Sequence, residues 1–183
     1  MFQYIAFNKP YGVLSQFTSE GGHKSLEEFG FPKDVYPAGR LDHDSEGLLL
    51  LTDDGVFIKK LLSPSFGHPR TYCAQVDGDI TSQALSKLEK GVVIGGYKTK
   101  PCRAEKIEEP PFWERTPPIR YRKDIPTSWI SLTLTEGKNR QVRRMTASVG
   151  FPTLRLVRVS IGKLKLGDLP CGSWKRVKKS DIL

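Results

Sequence analysis

Hydrophobic and polar side chains follow one another in short segments whose periods predict both strands and helices. Ile130, Leu132 and Leu134 alternate with Trp129, Ser131 and Thr133, the period-two pattern of a half-buried strand. Apolar runs predict further strands at residues 2–7, 48–52, 71–76, 154–159 and 174–177. These segments are the expected strands of a sheet.

Three segments show the spacing and the end signals of helices. Asp53 or Asp54 is the expected N-cap of a short helix that ends near Leu62, before a Ser-Pro pair. A second helix is expected over residues 81–90 and a third over residues 139–149, each with a glycine at its C-terminal end. Because these helices do not alternate regularly with the strands, we predict an α+β fold with a mixed, largely antiparallel sheet and flanking helices.

Residues 108–126 form the least regular part of the chain. They include five prolines, which predict a loop. Phe112, Trp113 and Tyr121 give this loop aromatic side chains with which it can pack. We therefore expect a packed loop at this place.

Charge is distributed unevenly over a chain that we expect to form one domain, residues 1–183, with two lobes at about 1–66 and 67–183. The first lobe carries 6 basic and 9 acidic residues, and the second carries 23 basic and 11 acidic residues, so the net charges are −3 and +12. A region this basic favours a polyanionic partner, the alternative being a solubilising surface.

The patterns expected of membrane spans, secretory signals and paired cysteines exclude further classes of protein. No apolar stretch approaches the roughly 18 residues that a membrane span needs, and the first residues lack a secretory signal. The three cysteines lie far apart, which excludes a disulfide framework and a CxxC metal knuckle. We expect a cytoplasmic protein with no membrane partner.

The segment Gly39–Leu49, with the sequence GRLDHDSEGLL, places an acidic cluster directly before a predicted strand. Asp42, Asp44 and Glu46 have a spacing that could ligate a hard cation, but they lack the twelve-residue calcium-loop pattern, so we expect no metal. Considered alone, the segment fits a solvated turn equally well.

The segment Glu136–Met145 places four basic side chains at the start of a predicted helix. Positive charge at this end opposes the helix macrodipole and costs up to about 1 kcal/mol. A placement that is unfavourable for stability indicates an external anion, such as the phosphate backbone of a nucleic acid. The alternative is a basic face that is merely solvated.

Four segments, in their order along the chain, resemble the motifs of pseudouridine synthases of the RsuA branch. Residues 39–49 resemble the catalytic motif GRLDxxSxGLL, and residues 8–14 are similar to the N-terminal motif of the family. Residues 70–72 correspond to a basic-x-Tyr motif, and residues 136–145 resemble the RQVRRM-type motif. The resemblance covers essentially the whole chain.

This resemblance implies a pseudouridine synthase-like catalytic domain with a central RNA-binding cleft. It also implies the isomerisation of a specific uridine to pseudouridine in large-subunit (23S) ribosomal RNA, without a metal, nucleotide or organic cofactor. We expect the protein to be a monomer whose binding partner is ribosomal RNA. Many RsuA-branch enzymes begin with an RNA-binding domain of the S4 type, which we do not expect here because the first motif follows the first strand directly.

The same resemblance implies roles for individual residues. Asp42 would be the nucleophile, attacking either the sugar or the uracil ring, and Arg143 would pair with it. Tyr72 would lie against the target base and help move the proton from C5, and Arg40 would help displace that base. The expected RNA-binding residues are Arg40, Lys9, Lys138, Asn139, Arg140, Gln141 and Arg144.

Two other classes of function are alternatives. A non-catalytic protein of ribosomal RNA binding or assembly explains the net charge of +9, but it leaves a carboxylate beside phosphates unexplained. A metal-dependent nuclease would use the acidic cluster and would depend on divalent cations.

Overall fold

The computed structural model describes residues 1–120 and 122–183, so that Tyr121 lies outside the described residues. The chain divides into two compact units, one made of residues 1–68 and 157–183 and the other of residues 69–156. The C-terminal segment, which we expected in the second lobe, belongs to the first unit. The reason is pairing, because its last strand forms an antiparallel ladder with the first strand of the chain.

The first unit is built around an apolar strand that is buried along its whole length, β3. The preceding strand β1 pairs antiparallel with one edge of β3, and the later strand β9 pairs parallel with the other edge through Val157 and Arg158. The elements of this unit are β1 (Tyr4–Lys9), β2 (Tyr36–Pro37), β3 (Glu46–Thr52), α1 (Gly55–Leu62), the second part of β9 (Thr153–Ile161), β10 (Leu164–Lys165), β11 (Trp174–Arg176) and two 3-10 helices (Leu26–Phe29 and Lys179–Asp181).

The helix α1 begins at the acidic cap that the sequence predicts. Asp54 accepts a hydrogen bond from the backbone N–H of Phe57 at 2.9 Å, which satisfies one of the amides left open at a helix start. Its other oxygen accepts from the Tyr4 hydroxyl at 2.6 Å and from the Lys179 ammonium at 2.9 Å. These hydrogen bonds, with that of Tyr4 the strongest influence, lower the pKa of Asp54 to about 2. Leu61 and Phe57 turn the apolar side of the helix into the core.

The second unit contains a long antiparallel pair of strands, β4 and β8, with β7 on the other side of β8. The predicted alternation in β8 is confirmed for residues 130–134, since Ile130, Leu132 and Leu134 are buried and Ser131 and Thr133 are partly exposed. Trp129, on the face of Ser131, is buried as well and its ring packs against that of Phe112. The elements of this unit are β4 (Arg70–Asp77), α2 (Ser82–Lys90), β5 (Val93–Ile94), β6 (Tyr97–Lys98), β7 (Arg103–Ile107), β8 (Thr127–Leu134), α3 (Gln141–Ser148) and the first part of β9.

Both helices of the second unit lie where the sequence predicts them. Thr81 caps α2 by accepting from the N–H of Ala84, and Gly91 follows the last turn. Val142 and Met145 anchor α3 in the apolar core of the unit. No helix or strand occurs among the described residues of 108–126, as the prolines predicted.

The hairpin of β5 and β6 was not predicted. Its two strands are joined by Gly95 and Gly96, whose φ angles of 55° and 78° are both positive. Two consecutive positive φ angles give the tight turn whose twist matches that of a hairpin, and glycine adopts them without a steric penalty. The Gly-Gly pair between Ile94 and Tyr97 is the sequence signal that would have predicted this hairpin.

The observed combination of elements confirms the α+β class. Three α-helices occur among the described residues, and the sheet contains the antiparallel pairs β1–β3, β4–β8 and β7–β8 beside the parallel pair of β3 and β9. No helix in the described part of the chain is long and apolar enough to cross a bilayer.

Candidate active site

Asp42 lies in the loop that precedes β3, and its side chain is half-buried. The residue before it, Leu41, is held on both sides by Ser15, whose hydroxyl donates to the Leu41 carbonyl at 2.7 Å and accepts from the Leu41 N–H at 3.0 Å. The residue after it, His43, accepts a hydrogen bond at its carbonyl from the Gly12 N–H at 2.6 Å. The backbone is therefore fixed on either side of Asp42, which restricts the direction in which the carboxylate points.

Lys9 is wholly buried, which contradicts its expected role in RNA binding. Its ammonium donates to the carbonyls of Val13 at 2.7 Å, Pro10 at 2.9 Å and His43 at 3.4 Å. Burial lowers the pKa of Lys9 to about 7, against the opposite effect of the carboxylates in residues 42–46. Lys9 thus supports the loop of Asp42 from inside the protein.

The end of this loop is fixed by a close approach between two strands. Gly47 has a φ of 96°, and a Cβ at this position would collide with the backbone of Arg158. Arg158 in turn donates from Nε to the carbonyl of Leu48 at 2.8 Å. Glycine is therefore required here both for its conformation and for the space that β9 occupies.

The remaining polar residues of the loop differ in exposure. Arg40 and His43 are exposed, Asp44 is half-buried and Glu46 is wholly buried. The His43 ring lies against that of His23, with 4.7 Å between the ring centroids. Within residues 1–120 and 122–183, no group of three or more His, Cys, Asp or Glu side chains could hold a metal ion.

Tyr72 and Arg143 belong to the second unit, whereas Asp42 belongs to the first. Tyr72 lies in β4 opposite Leu132 and packs, partly buried, against the apolar core of its unit. Arg143 lies in the first turn of α3, half-buried, and its Nη1 donates to the carbonyl of Thr153 at 3.4 Å. Core packing and the helix thus hold these two side chains at the border between the interior and the solvent.

Gln141 is buried, which contradicts its expected role in RNA binding. Its amide nitrogen donates to Glu136 at 2.8 Å, and its amide oxygen accepts from the backbone N–H of Lys138 at 2.9 Å. Gln141 therefore shapes the turn before α3. The other basic or polar residues expected to bind RNA in this segment are exposed, namely Lys138, Asn139, Arg140 and Arg144.

Sequence reasoning missed the residues that support these two segments. Ser15 lies 26 positions before Leu41, and Tyr97 lies 39 positions before Glu136, to which its hydroxyl donates at 2.5 Å. No local pattern marks either partner, because a single serine or tyrosine in a loop or short strand carries no periodic signal.

Comparison with known proteins decides the family. The sequence model of RNA pseudouridylate synthase matches residues 3–148, which is most of the chain. The chain belongs to the RNA pseudouridylate synthase family. The resemblance that the motifs indicated is thereby confirmed, and Asp42, Tyr72 and Arg143 all lie inside the matched region.

Individual members of the RNA pseudouridylate synthase family are similar over nearly the whole chain. A protein of Vibrio parahaemolyticus named ribosomal large subunit pseudouridine synthase E is 55% identical over 174 residues, which cover 95% of this chain and 73% of that protein. A protein of the same name from Xanthomonas campestris is 52% identical over 174 residues and covers 93% of both chains. Among solved structures, a crystal structure of pseudouridylate synthase has a TM-score of 0.81 at 27% identity and covers 99% of this chain and 72% of that chain.

Proposed function

We propose that this pseudouridine synthase isomerises a specific uridine in large-subunit ribosomal RNA. The observation that carries the proposal is the identity of 52–55% to relatives whose names state a large-subunit ribosomal substrate. The charge of the second unit supports an RNA substrate, because residues 69–156 carry 16 basic and 9 acidic side chains, a net charge of +7.

In the reaction, the bond between C1′ of the ribose and N1 of uracil breaks, and a bond between C1′ and C5 forms. The proton on C5 leaves to solvent, and N1 takes up a proton, so that the product has the composition of the substrate. We propose Asp42 as the nucleophile, with the sugar and the uracil ring as the two candidate points of attack. The clamped backbone around Asp42 supports this role, since a nucleophile must be aimed before the substrate arrives.

Arg143 and Tyr72 complete the proposed chemistry. A guanidinium that pairs with Asp42 would keep the carboxylate ionised and oriented. Tyr72 would lie against the target base and assist the transfer of the C5 proton. Arg40, which is exposed two positions before Asp42, would displace the target base and take its place in the RNA.

The exposed residues at the start of α3 would bind the RNA backbone, namely Lys138, Asn139, Arg140 and Arg144. We propose that the enzyme works as a monomer and needs neither a metal nor a nucleotide cofactor. Because its proposed substrate is ribosomal RNA, we place it in the cytoplasm.

The experiment that tests the substrate compares two RNAs. Transcripts of large-subunit and small-subunit ribosomal RNA, labelled with [5-³H]uridine, are incubated with the enzyme, and tritium release is measured. We expect release from the large-subunit RNA alone, at one position that is also unmodified in a strain lacking the gene. Release from the small-subunit RNA alone would overturn the proposed substrate.

A further inference from the structure

The hairpin of β5 and β6 is attached to the basic segment before α3 by one buried carboxylate. Glu136 accepts hydrogen bonds from the Tyr97 hydroxyl at 2.5 Å, from the Lys100 N–H at 2.7 Å and from the Gln141 amide at 2.8 Å. Burial acts to raise the pKa of Glu136, but these three hydrogen bonds, together with the positive charge of Lys100, outweigh it and the pKa is lowered. The carboxylate therefore stays ionised and joins the hairpin to the segment that carries the exposed cations.

The cations around this carboxylate do not form ion pairs. Among the described residues, no carboxylate lies within 4 Å of the ammonium groups of Lys100 and Lys138 or of the Arg144 guanidinium. The Lys138 ammonium lies instead over the Tyr97 ring, 4.5 Å from its centroid. Three exposed positive charges therefore lie near Glu136, whose carboxylate already accepts hydrogen bonds from three donors.

The turn of the hairpin also fits one of these cations. A Cβ on Gly95 would lie 2.5 Å from Nη2 of Arg144, so the absence of a side chain there leaves room for the guanidinium. Gly96, with a similar positive φ, has no atom within 4 Å of such a Cβ. The hairpin thus positions Arg144 through Gly95 and Lys138 through Tyr97.

We propose that the β5–β6 hairpin and the start of α3 form one surface that binds RNA phosphates, in which Lys100 is an RNA-binding residue and Tyr97 and Gly95 are positioning residues. The inference rests on the proposed function, because it takes RNA as the ligand. Unpaired, exposed cations held by a rigid support are the arrangement that a polyanion binds with the smallest ordering cost.

The two faces of the hairpin supply a matched control. Lys98 pairs across the hairpin with Val93, and both are exposed. Because neighbouring residues of a strand point to opposite faces, Lys98 points away from the face that carries the Tyr97 ring. Lys100 lies two residues after β6, and its own N–H donates to Glu136. Lys98→Ala and Lys100→Ala therefore each remove one exposed lysine charge, the first on the face opposite the Tyr97 ring and the second beside the amide that Glu136 binds.

The first experiment measures the binding of the full-length enzyme to a large-subunit ribosomal RNA transcript at several salt concentrations. We expect Lys100→Ala to reduce the slope of log K against log salt by about 0.7–0.9, the value of one phosphate contact, and to weaken binding roughly three- to tenfold at low salt. Lys98→Ala should keep the wild-type slope. Equal slopes for Lys98→Ala and Lys100→Ala would overturn the proposal.

The second experiment tests positioning by the turn. Gly95→Ala and Gly96→Ala both place an alanine at a positive φ, so both should lower Tm. Only Gly95→Ala displaces Arg144, and we expect only this variant to lose RNA affinity and salt slope. Tyr97→Phe should likewise reduce the slope, because it frees Glu136 to attract Lys138. Equal RNA binding by the two glycine variants would contradict the positioning role.

These results are independent of the identity of the target uridine. If the wild-type enzyme bound the transcript but released no tritium from it, the proposed substrate would be wrong, whereas the difference between Lys98→Ala and Lys100→Ala would still decide the role of the hairpin.

Discussion

The loop around Asp42 and the basic segment before α3 are both supported by buried polar side chains, but the loop presents a carboxylate and the segment presents cations. In the loop, residues 39–47, the support consists of a buried ammonium, that of Lys9, and a buried hydroxyl, that of Ser15, which hold the backbone carbonyls on either side of Asp42. In the segment, residues 136–145, a buried carboxylate, Glu136, accepts from the backbone N–H of Lys100 and from the side-chain amide of Gln141, and several cations remain exposed. In each region a buried charge supports a group of the opposite sign, Lys9 beneath the loop of Asp42 and Glu136 beneath the segment that carries Lys138.

This difference separates the two tasks of the enzyme. A group that reacts must be held in one direction, so its neighbours are locked on both sides along the chain. Groups that bind a polyanion need exposure and a high local density of charge rather than a single direction. Substitutions in the loop should therefore lower turnover, and substitutions of exposed residues in the segment should weaken binding.

The largest expected effect tests the loop directly. Asp42→Asn keeps the size of the side chain but removes the nucleophilic oxygen and the charge, so tritium release should fall below detection, at least about a thousandfold. RNA binding in a filter assay should be unchanged or slightly tighter, because one charge that repels phosphates is gone. Near-normal tritium release would disprove the proposed mechanism.

Arg143 gives the sharpest test of the difference between the loop and the segment, since it lies in the basic segment but is proposed to take part in the chemistry. We expect Arg143→Ala to lower turnover about a hundredfold or more, with a smaller change in RNA affinity. The exposed neighbour Arg144 is the control, because Arg144→Ala should change mainly affinity. If Arg143→Ala weakened only binding, its assignment to Asp42 would be wrong.

We expect Lys9 to behave as part of the loop, because its side chain is buried beneath it. Lys9→Met preserves the length of the side chain but leaves the carbonyls of Val13 and His43 without its ammonium. We expect turnover to fall about tenfold, with the RNA dissociation constant and its salt slope unchanged. A reduced salt slope would instead restore Lys9 as an RNA contact.

The burial of Lys9 also predicts that stability depends on pH, and Lys9→Met tests this prediction. Lys9 has a pKa of about 7 in the folded protein, below its value near 10.5 in the unfolded chain. Between these values the unfolded state binds more protons, so the free energy of unfolding should rise with pH, by about 1.4 kcal/mol per unit for this group. Urea denaturation at pH 7, 8 and 9 should show this rise in the wild type and lack it in Lys9→Met.

The smallest effect is expected for single exposed cations. Lys138→Ala should weaken RNA binding roughly threefold to tenfold and reduce the salt slope by about 0.7–0.9, with turnover at saturating RNA unchanged. Steady-state kinetics at two salt concentrations would separate KM from kcat. A loss that persisted at saturating RNA would place Lys138 with the catalytic residues.

Most of the regular structure could be predicted from the sequence because its signals are local. The alternation in β8, the acidic cap of α1 and the cap of α2 each involve residues within one or two turns of the chain. The missed elements include two-residue strands such as β2, β5 and β6, which are too brief for a period to show, and the five-residue strand β7. The order of the four motifs also indicated the family before any contact was known.

Burial and partnership were decided only by the tertiary structure. The resemblance implies that Lys9 and Gln141 bind RNA, because each lies in a matching motif, yet both are buried. The Lys9 ammonium donates to the carbonyl of His43, 34 positions away, and Glu136 accepts from the hydroxyl of Tyr97, 39 positions away. The sequence by itself determined which chemical groups the protein contains and in which local segments they lie. Long-range pairing, including the return of residues 157–183 to the first unit, determined which of those groups face solvent, because exposure is set by what packs on a side chain rather than by its neighbours along the chain.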